Sequence, residues 1–242
     1  MIAVIDYHKG NLKSVERGLI GVGADARITD DPAAIAAADA LVLPGVGAFA
    51  DAAGSMRALG QMELVRERIL AGVPFLGICL GMHLMYAAGT EHAEGEPTPG
   101  LGLIDGVVDA LPRTDAQGRA HKIPHVGWNS VDYVGEAVGA DEAAGAGEAA
   151  GAGEAAVAVG GGPLFEGIPD GEYFYFTHSF ASPASAADIA TTRHSVEFPC
   201  AVQVPGLPAC FGVQFHPEKS SDAGAAMLRN FVRVAERCTK RD

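Results

Sequence analysis

Apolar residues in the first third of the chain recur with two different periods. A continuous apolar run at 2–5 predicts a buried strand, and four apolar residues behind it recur at helical spacing: Leu12, Val15, Leu19 and Val22. The order then repeats: strands are predicted at 24–29, 40–43 and 73–76, with an Ala-rich helix after the Asp31-Pro32 cap and another helix at 61–71. Alternating strands and helices predict a parallel sheet flanked by helices, in which ligands bind beyond the carboxyl ends of the strands.

The second half of the chain has shorter strands. They are predicted at 106–111, 122–126, 128–134, 172–178, 189–193, 201–204 and 209–214. A series of short strands of this kind is typical of antiparallel pairing. The apolar face of 223–240 predicts a terminal helix. We therefore expect one α/β domain over 1–242, with a mostly parallel sheet flanked by helices and an additional antiparallel region.

One segment, 135–162, interrupts this pattern. It consists mainly of Gly, Ala, Val and acidic residues, and 142–147 is repeated at 148–153. Without aromatic or large aliphatic side chains, such a segment cannot bury enough apolar surface to offset its ordering entropy. We expect a flexible surface insert, with a docking segment as the alternative.

Composition excludes several classes of protein. The 242-residue chain has a formal net charge of −13, which argues against a nucleic-acid or anionic-membrane surface. Its longest apolar stretch, 73–85, is interrupted by Pro and Gly and is too short to span a bilayer. The four cysteines have neither disulfide-framework nor metal-site spacing, so we expect a cytoplasmic protein without a metal or cofactor.

The strongest chemical signal is a cysteine between two glycines. Cys79 follows an apolar strand and precedes a helical pattern, and Gly77 and Gly81 permit a strained, closely packed turn. Such a turn exposes the thiol, and the helix start favours the reactive thiolate. The backbone N–H of Leu80 would face a developing oxyanion. A buried structural cysteine is the alternative.

A candidate base lies far along the chain. His216 and Glu218 are two residues apart, so in an extended segment they share a face, with Pro217 stiffening the link. Glu218 could then orient His216, whose other ring nitrogen reaches Cys79. A solvated strand edge is the alternative for these two residues alone.

Together these motifs resemble the catalytic triad of the class I glutamine amidotransferases, whose glutaminase domains release ammonia from glutamine. Four further stretches resemble the glutaminases of the histidine pathway: 10–12, 43–49, 122–129 and 173–179. The resemblance covers nearly the whole chain apart from the insert. It implies a flavodoxin-like amidotransferase fold, a Cys79-His216-Glu218 triad and glutamine as substrate.

The resemblance also implies roles for residues outside the triad. Gly45 and Val46 would join Leu80 in the oxyanion hole, and the substrate-binding residues would be Gly47, His83, His178, Ser179 and Phe180. His83 departs from the family, which usually carries Gln there; it could donate to the glutamine carboxylate or simply pack.

A partner is implied as well. Ammonia would pass to a separate cyclase subunit, and the surface docking on it would be bordered by Asn11, Trp128, Tyr175 and Lys219. Two alternatives stay open: a glutaminase serving another pathway, and a noncatalytic binding partner with the same fold.

Overall fold

The structure, a computed structural model, describes residues 1–135 and 160–239. The α-helices of these residues are α1 (Leu12–Gly21), α2 (Pro32–Ala37), α3 (Phe49–Ala58), α4 (Gln61–Leu70), α5 (Leu80–His83) and α6 (Ser221–Thr239). The strands are β1 (Ile2–Ile5), β2 (Ala26–Thr29), β3 (Ala40–Gly45), β4 (Phe75–Cys79), β5 (Tyr86–Gly89), β6 (Thr98–Pro99), β7 (Ile104–Ala110), β8 (His125–Tyr133), β9 (Glu172–His178), β10 (Phe180–Ala181), β11 (Asp188–Arg193), β12 (Glu197–Gln203) and β13 (Cys210–Val213). Two 3₁₀ helices lie at Gly162–Phe165 and Pro217–Lys219.

Nine strands form one mixed sheet in the order β2-β1-β3-β4-β13-β12-β11-β8-β9. The first five pair in parallel, and the other four extend the sheet through antiparallel pairs. The predicted α/β class, with a parallel sheet and an antiparallel region, is therefore confirmed.

Helices cover both faces of the parallel part. Along β1, Ile2 and Val4 belong to one hydrophobic cluster, together with residues of α1 and α6. Ala3 and Ile5 belong to another, which includes residues of α2, α3 and α4. A strand buried on both faces is apolar at every position, which explains the unbroken run at 2–5.

The segment after Cys79 differs from the sequence-based expectation. Only one helical turn, α5, follows the cysteine, and the chain continues into β5. The carbonyl oxygens of Leu84 and Met85 accept hydrogen bonds from the backbone N–H groups of Leu101 (2.7 Å) and Leu103 (2.8 Å), so they cannot continue a helix. β5 joins a four-stranded sheet in the order β10-β7-β5-β6.

Two other elements also differ from the prediction. Helix α3 was not predicted, although its buried residues have helical spacing: Phe49, Ala52, Ala53 and Met56. The strands expected at 122–126 and 128–134 are a single strand, β8, because Gly127, with φ +139°, keeps its place opposite Phe176. A glycine within a strand pattern suggested a break that the pairing with β9 overrides.

The predicted insert lies almost wholly outside the described residues, which include only positions 135 and 160–162 of it. Both the flexible insert and the single-domain organisation therefore stay predictions. Within 1–135 and 160–239, each helix is too short or too polar to cross a membrane.

Candidate active site

Cys79 lies at a sharp turn between β4 and α5. Its backbone has φ 54° and ψ −108°, a conformation that residues with a side chain rarely adopt. A Cβ on Gly77 would lie 2.6 Å from the carbonyl oxygen of Gly81, and a Cβ on Gly81 would collide with the carbonyl oxygen of Leu43. The close approach of the backbone therefore requires glycine at both positions, in agreement with the strained, closely packed turn that the sequence predicts.

The helix after this turn stabilises the Cys79 thiolate less than the sequence predicts. α5 has four residues, so few peptide dipoles are aligned toward the thiol. Cys79 is itself 6% exposed. Stabilisation of its thiolate therefore falls mainly to the side chains around it.

His216 and Glu218 form a buried hydrogen-bonded pair. Nδ1 of His216 lies 3.0 Å from Oε1 of Glu218, and the two side chains are 3% and 1% exposed. The segment is not extended as predicted, because Pro217 begins one turn of 3₁₀ helix. That turn brings the carboxylate back to the imidazole, so the expected pair forms by a different backbone route.

The sheet brings this pair to Cys79. β4 and β13 are parallel neighbours with Ile78 opposite Val213, so the residues after both strands emerge at the same edge. Burial lowers the pKa of His216, but the adjacent Cys79 and the Glu218 carboxylate raise it by more, to about 9. Among the described residues, Nε2 of His216 has no hydrogen-bond partner, which leaves this nitrogen available to the adjacent thiol of Cys79.

A cavity of about 430 Å³ opens at Cys79. Its walls include most of the predicted site residues: Val46, Gly47, Cys79, Leu80, His83, His178, Ser179 and Phe180. Gly45 lies behind the wall, where an added Cβ would collide with the Tyr7 hydroxyl and approach Cβ of Leu80 to 2.8 Å. Gly45 on β3 pairs with Cys79 on β4, so the Gly45-Val46 segment predicted for the oxyanion hole begins directly beside the nucleophile.

Glu91 is a cavity residue that the sequence did not single out. Its carboxylate accepts a hydrogen bond from the backbone N–H of Phe49 (3.2 Å). This bond holds the loop after β5, which carries Glu91, against the start of α3. Burial raises the pKa of Glu91. The cavity is also lined by three residues that were not predicted as site residues: His92, Pro124 and Thr177. A charged residue just after an apolar strand was the available signal for Glu91.

The predicted substrate residue His178 is held by protein groups on both ring nitrogens. Nδ1 lies 2.8 Å from the carbonyl oxygen of Phe180, and Nε2 lies 3.0 Å from Nδ1 of His125. Since Nδ1 must donate to the carbonyl, Nε2 accepts from His125, which is consistent with two neutral rings. Burial holds the pKa of His178 well below its usual range. This side chain therefore fixes the cavity wall.

His83 is buried and has an unexpected partner. Its Nε2 lies 2.6 Å from Oε1 of Gln214, and Nε2 of Gln214 lies 3.7 Å from Sγ of Cys79. Burial lowers the pKa of His83 to about 4, although the hydrogen bond to Gln214 opposes that shift. Gln214 was not predicted as a site residue, and only its place two residues before His216 could have suggested it.

Three of the four predicted interface residues lie together. Trp128 and Tyr175 are opposite each other on β8 and β9, with ring centroids 6.1 Å apart. Nζ of Lys219 lies 5.9 Å from the centre of the Tyr175 ring. Trp128 is 50% exposed, and the fourth residue, Asn11, precedes α1.

Backbone hydrogen bonds connect this surface to the candidate base. The N–H of His216 donates to the carbonyl oxygen of Tyr175 (2.9 Å), and the N–H of Tyr175 donates to Oγ of Ser220 (3.0 Å). Oγ of Ser220 in turn donates to the carbonyl oxygen of His216 (2.7 Å). β9 and the loop of His216 are therefore held as one unit.

Within the described part of the chain, no group of three or more His, Cys, Asp or Glu side chains could hold a metal ion. The cysteines at 79, 200, 210 and 238 are free.

Comparison with known sequences gives a consistent family. The family model described as "Glutamine amidotransferase class-I" matches residues 3–235. A protein of Moorella thermoacetica named "Imidazole glycerol phosphate synthase subunit HisH" is 39% identical over 232 residues, covering 95% of this chain and 93% of that protein. A protein of the same name from Syntrophotalea carbinolica is 40% identical, covering 96% and 98%.

Solved structures agree at the level of the fold. A structure described as "Crystal structure of glutamine amidotransferase" has a TM-score of 0.64 at 17% identity, covering 98% of this chain and 100% of that one. The glutaminase domain of Trypanosoma brucei CTPS, solved with bound acivicin, has a TM-score of 0.59 at 15% identity, covering 98% and 93%. With a family model spanning almost the whole sequence, this chain belongs to the class I glutamine amidotransferase family.

Proposed function

We propose that this chain is the glutaminase subunit of imidazole glycerol phosphate synthase. It hydrolyses glutamine to glutamate and ammonia, and it passes the ammonia to a cyclase subunit that makes imidazole glycerol phosphate and an aminoimidazole carboxamide ribotide in histidine biosynthesis. The observation that carries the chemistry is the buried His216-Glu218 pair beside Cys79, and Cys79 itself lines the cavity. The names of relatives about 40% identical support the pathway.

The first half of the reaction forms a thioester. The Cys79 thiolate attacks the side-chain amide carbon of glutamine, and the carbonyl oxygen becomes an oxyanion. Backbone N–H groups of Leu80 and the Gly45-Val46 loop stabilise that charge. When the intermediate collapses, the carbon–nitrogen bond breaks, and protonated His216 gives its proton to the leaving amine, which departs as ammonia.

The second half hydrolyses the thioester. Now neutral, His216 takes a proton from water, whose oxygen attacks the thioester carbon. The carbon–sulfur bond breaks, glutamate leaves, and Cys79 and His216 return to the thiolate and imidazolium forms. Glu218 orients the ring and stabilises its positive charge through Nδ1, which agrees with the raised pKa of His216, about 9.

Recognition of the amino-acid end of glutamine requires groups of opposite charge or matching hydrogen bonds. The Glu91 carboxylate at the cavity wall suits the substrate ammonium group. Gly47, Ser179 and Phe180 offer backbone groups on other walls, and His178 fixes that wall. No cofactor or metal enters this proposal, and it assigns the nucleotide chemistry to the partner.

The cyclase subunit docks on the surface around Trp128, Tyr175 and Lys219, with Asn11 at its border. An exposed Trp packed against a partly buried Tyr, with a cation beside them, is a typical centre for a protein interface. We also propose a cytoplasmic location, which free cysteines support.

The test is glutamine hydrolysis by the purified chain, alone and with a histidine-pathway cyclase plus its nucleotide ligand. We expect weak activity alone, a sharp rise with the liganded cyclase, and loss of activity in Cys79→Ala. Cys210→Ala is the matched control, because burial raises the pKa of that thiol to about 12 and keeps it unreactive. This variant should keep its activity.

Other outcomes point to the alternatives. Activity that does not respond to the cyclase would indicate an amidotransferase of another pathway. A folded protein without activity under every condition would indicate a noncatalytic binding partner.

A further inference from the structure

A buried amide and a second histidine approach Cys79 independently of the triad. Gln214 is 0% exposed and His83 is 3% exposed. The amide nitrogen of Gln214 lies 3.7 Å from Sγ of Cys79, and its oxygen lies 2.6 Å from Nε2 of His83. The amide therefore bridges the sulfur and the imidazole.

The main chain holds both residues in place. Gln214 directly follows β13, and its backbone N–H donates to the carbonyl oxygen of Cys200 (2.9 Å), which continues the sheet ladder. His83 ends α5, the turn that begins immediately after Cys79. With Val213 paired to Ile78, the side chain of Gln214 starts next to the nucleophile.

The chemistry of the three groups allows one proton arrangement when the thiolate forms. A thiolate is only an acceptor, so Gln214 must present its NH₂ group to the sulfur and its oxygen to His83. Two acceptors would otherwise face each other. His83, neutral because burial lowers its pKa to about 4, must then carry its single proton on Nε2.

We propose that Gln214 is a positioning residue for the nucleophile: its amide donates a hydrogen bond that stabilises and orients the Cys79 thiolate, and His83 locks the amide in that orientation. This inference rests on the proposed function of Cys79. It gives His83 a role through Gln214, because its Nε2 is engaged by the protein and is not free for glutamine.

The experiment measures iodoacetamide alkylation of Cys79 in the full chain by mass spectrometry, over roughly pH 5 to 10. Iodoacetamide must enter the cavity to reach Cys79, but it lacks the amino-acid end of glutamine, so lost recognition of that end does not shift the pH midpoint of alkylation. Gln214→Met removes the amide while keeping a similar volume. Gln203→Met is the matched control, since Gln203 bonds to the carbonyl oxygen of Pro208 at the end of the neighbouring strand β12.

We expect Gln214→Met to raise the pH midpoint of Cys79 alkylation by about one unit, because a hydrogen bond to a charged form favours that form. The kcat for glutamine should fall about tenfold, with KM changing less than about threefold. Gln203→Met should match the natural protein.

His83 provides the second arm. His83→Leu should raise the midpoint in the same direction, since Gln214 loses the group that orients it. His83→Gln should restore it, because a glutamine amide can donate to the Gln214 oxygen in place of the imidazole. If Gln214→Met fails to fold, this pair decides the question.

An unchanged midpoint in Gln214→Met and His83→Leu, with only KM raised, would overturn the inference and leave both residues as cavity packing. Failure of the proposed function looks different: Cys79 of the natural protein would then be alkylated no faster than the buried Cys210.

Discussion

The surroundings of Cys79 contain two histidines that burial should affect alike, yet their pKa values move in opposite directions. His216 is 2% exposed and His83 is 3% exposed. The pKa of His216 is raised to about 9, whereas the pKa of His83 is lowered to about 4. The same fold therefore keeps one imidazole charged and the other neutral within one site.

The difference comes from their partners. His216 is placed between a thiol and the Glu218 carboxylate, which stabilise the imidazolium more than burial destabilises it. His83 contacts the neutral amide of Gln214, which cannot offset burial. A proton-transfer group and a fixed neutral donor are thus distinguished by their neighbours rather than by depth in the protein.

Exchanging each histidine for glutamine should give the largest contrast. His216→Gln should lower kcat for glutamine hydrolysis about 10²- to 10⁴-fold, because no group remains to move the proton. His83→Gln should lose a few-fold at most. Ammonia release with the liganded cyclase measures both, and equal losses would show that the two histidines do not differ in role.

Changing the partner of His216 should have the next largest effect. Glu218→Gln removes the negative charge, so kcat should fall about 10²-fold and the pKa of His216 should fall. The leaving amine needs protonated His216, so the activity of the natural protein should fall as pH rises through about 9.

In Glu218→Gln that decline should begin at lower pH. The pH profile of kcat/KM measures the shift, with Glu63→Gln, an exposed carboxylate on α4, as the control for lost charge. An alkaline limb at the same pH in both variants would contradict the role given to Glu218.

The smallest effect should come from the connection between His216 and β9. Ser220→Ala removes the hydroxyl that bonds to the His216 carbonyl oxygen and the Tyr175 N–H. The free energy of unfolding should fall by about 1–3 kcal/mol, since the partly buried N–H of Tyr175 loses its partner, and kcat should fall by a few-fold. Urea denaturation measures the former.

The matched control is Ser55→Ala on α3. The exposed Ser55 hydroxyl donates to the carbonyl oxygen of Asp51 in the preceding helical turn, and its removal should change the free energy of unfolding by less than about 0.5 kcal/mol. If Ser220→Ala behaves in the same way, the Ser220 hydroxyl does not contribute to stability, and the direct bond from the His216 N–H to the Tyr175 carbonyl holds β9 by itself.

Much of the site could be predicted because its signals are local. Glycines at 77 and 81 indicate that neighbouring backbone passes too close for a Cβ, and in the structure the backbone does pass that close. The spacing of His216 and Glu218 indicated a pair, although the actual backbone is a 3₁₀ turn. Family motifs added the cavity walls around Val46 and Ser179.

Other features could not be predicted because their causes lie far away in sequence. α5 ends early because the loop after β6 takes up the carbonyl groups of Leu84 and Met85. Glu91 is held at the cavity by a hydrogen bond to the backbone of α3, a helix that was itself not predicted.

By itself, the sequence determined the alternation of strands and helices, the strained turn at Cys79 and the identity of the reactive side chains. Periodicity, glycine placement and short motifs could reveal these features because each acts within a few residues. Only the tertiary structure decided the contacts of Gln214, which come from distant positions in the chain. His83 and Gln214 are 131 positions apart, and Gln214 and Cys79 are 135 apart. Their contact exists because β13 pairs with β4, and that pairing decides which buried histidine is charged and which is neutral.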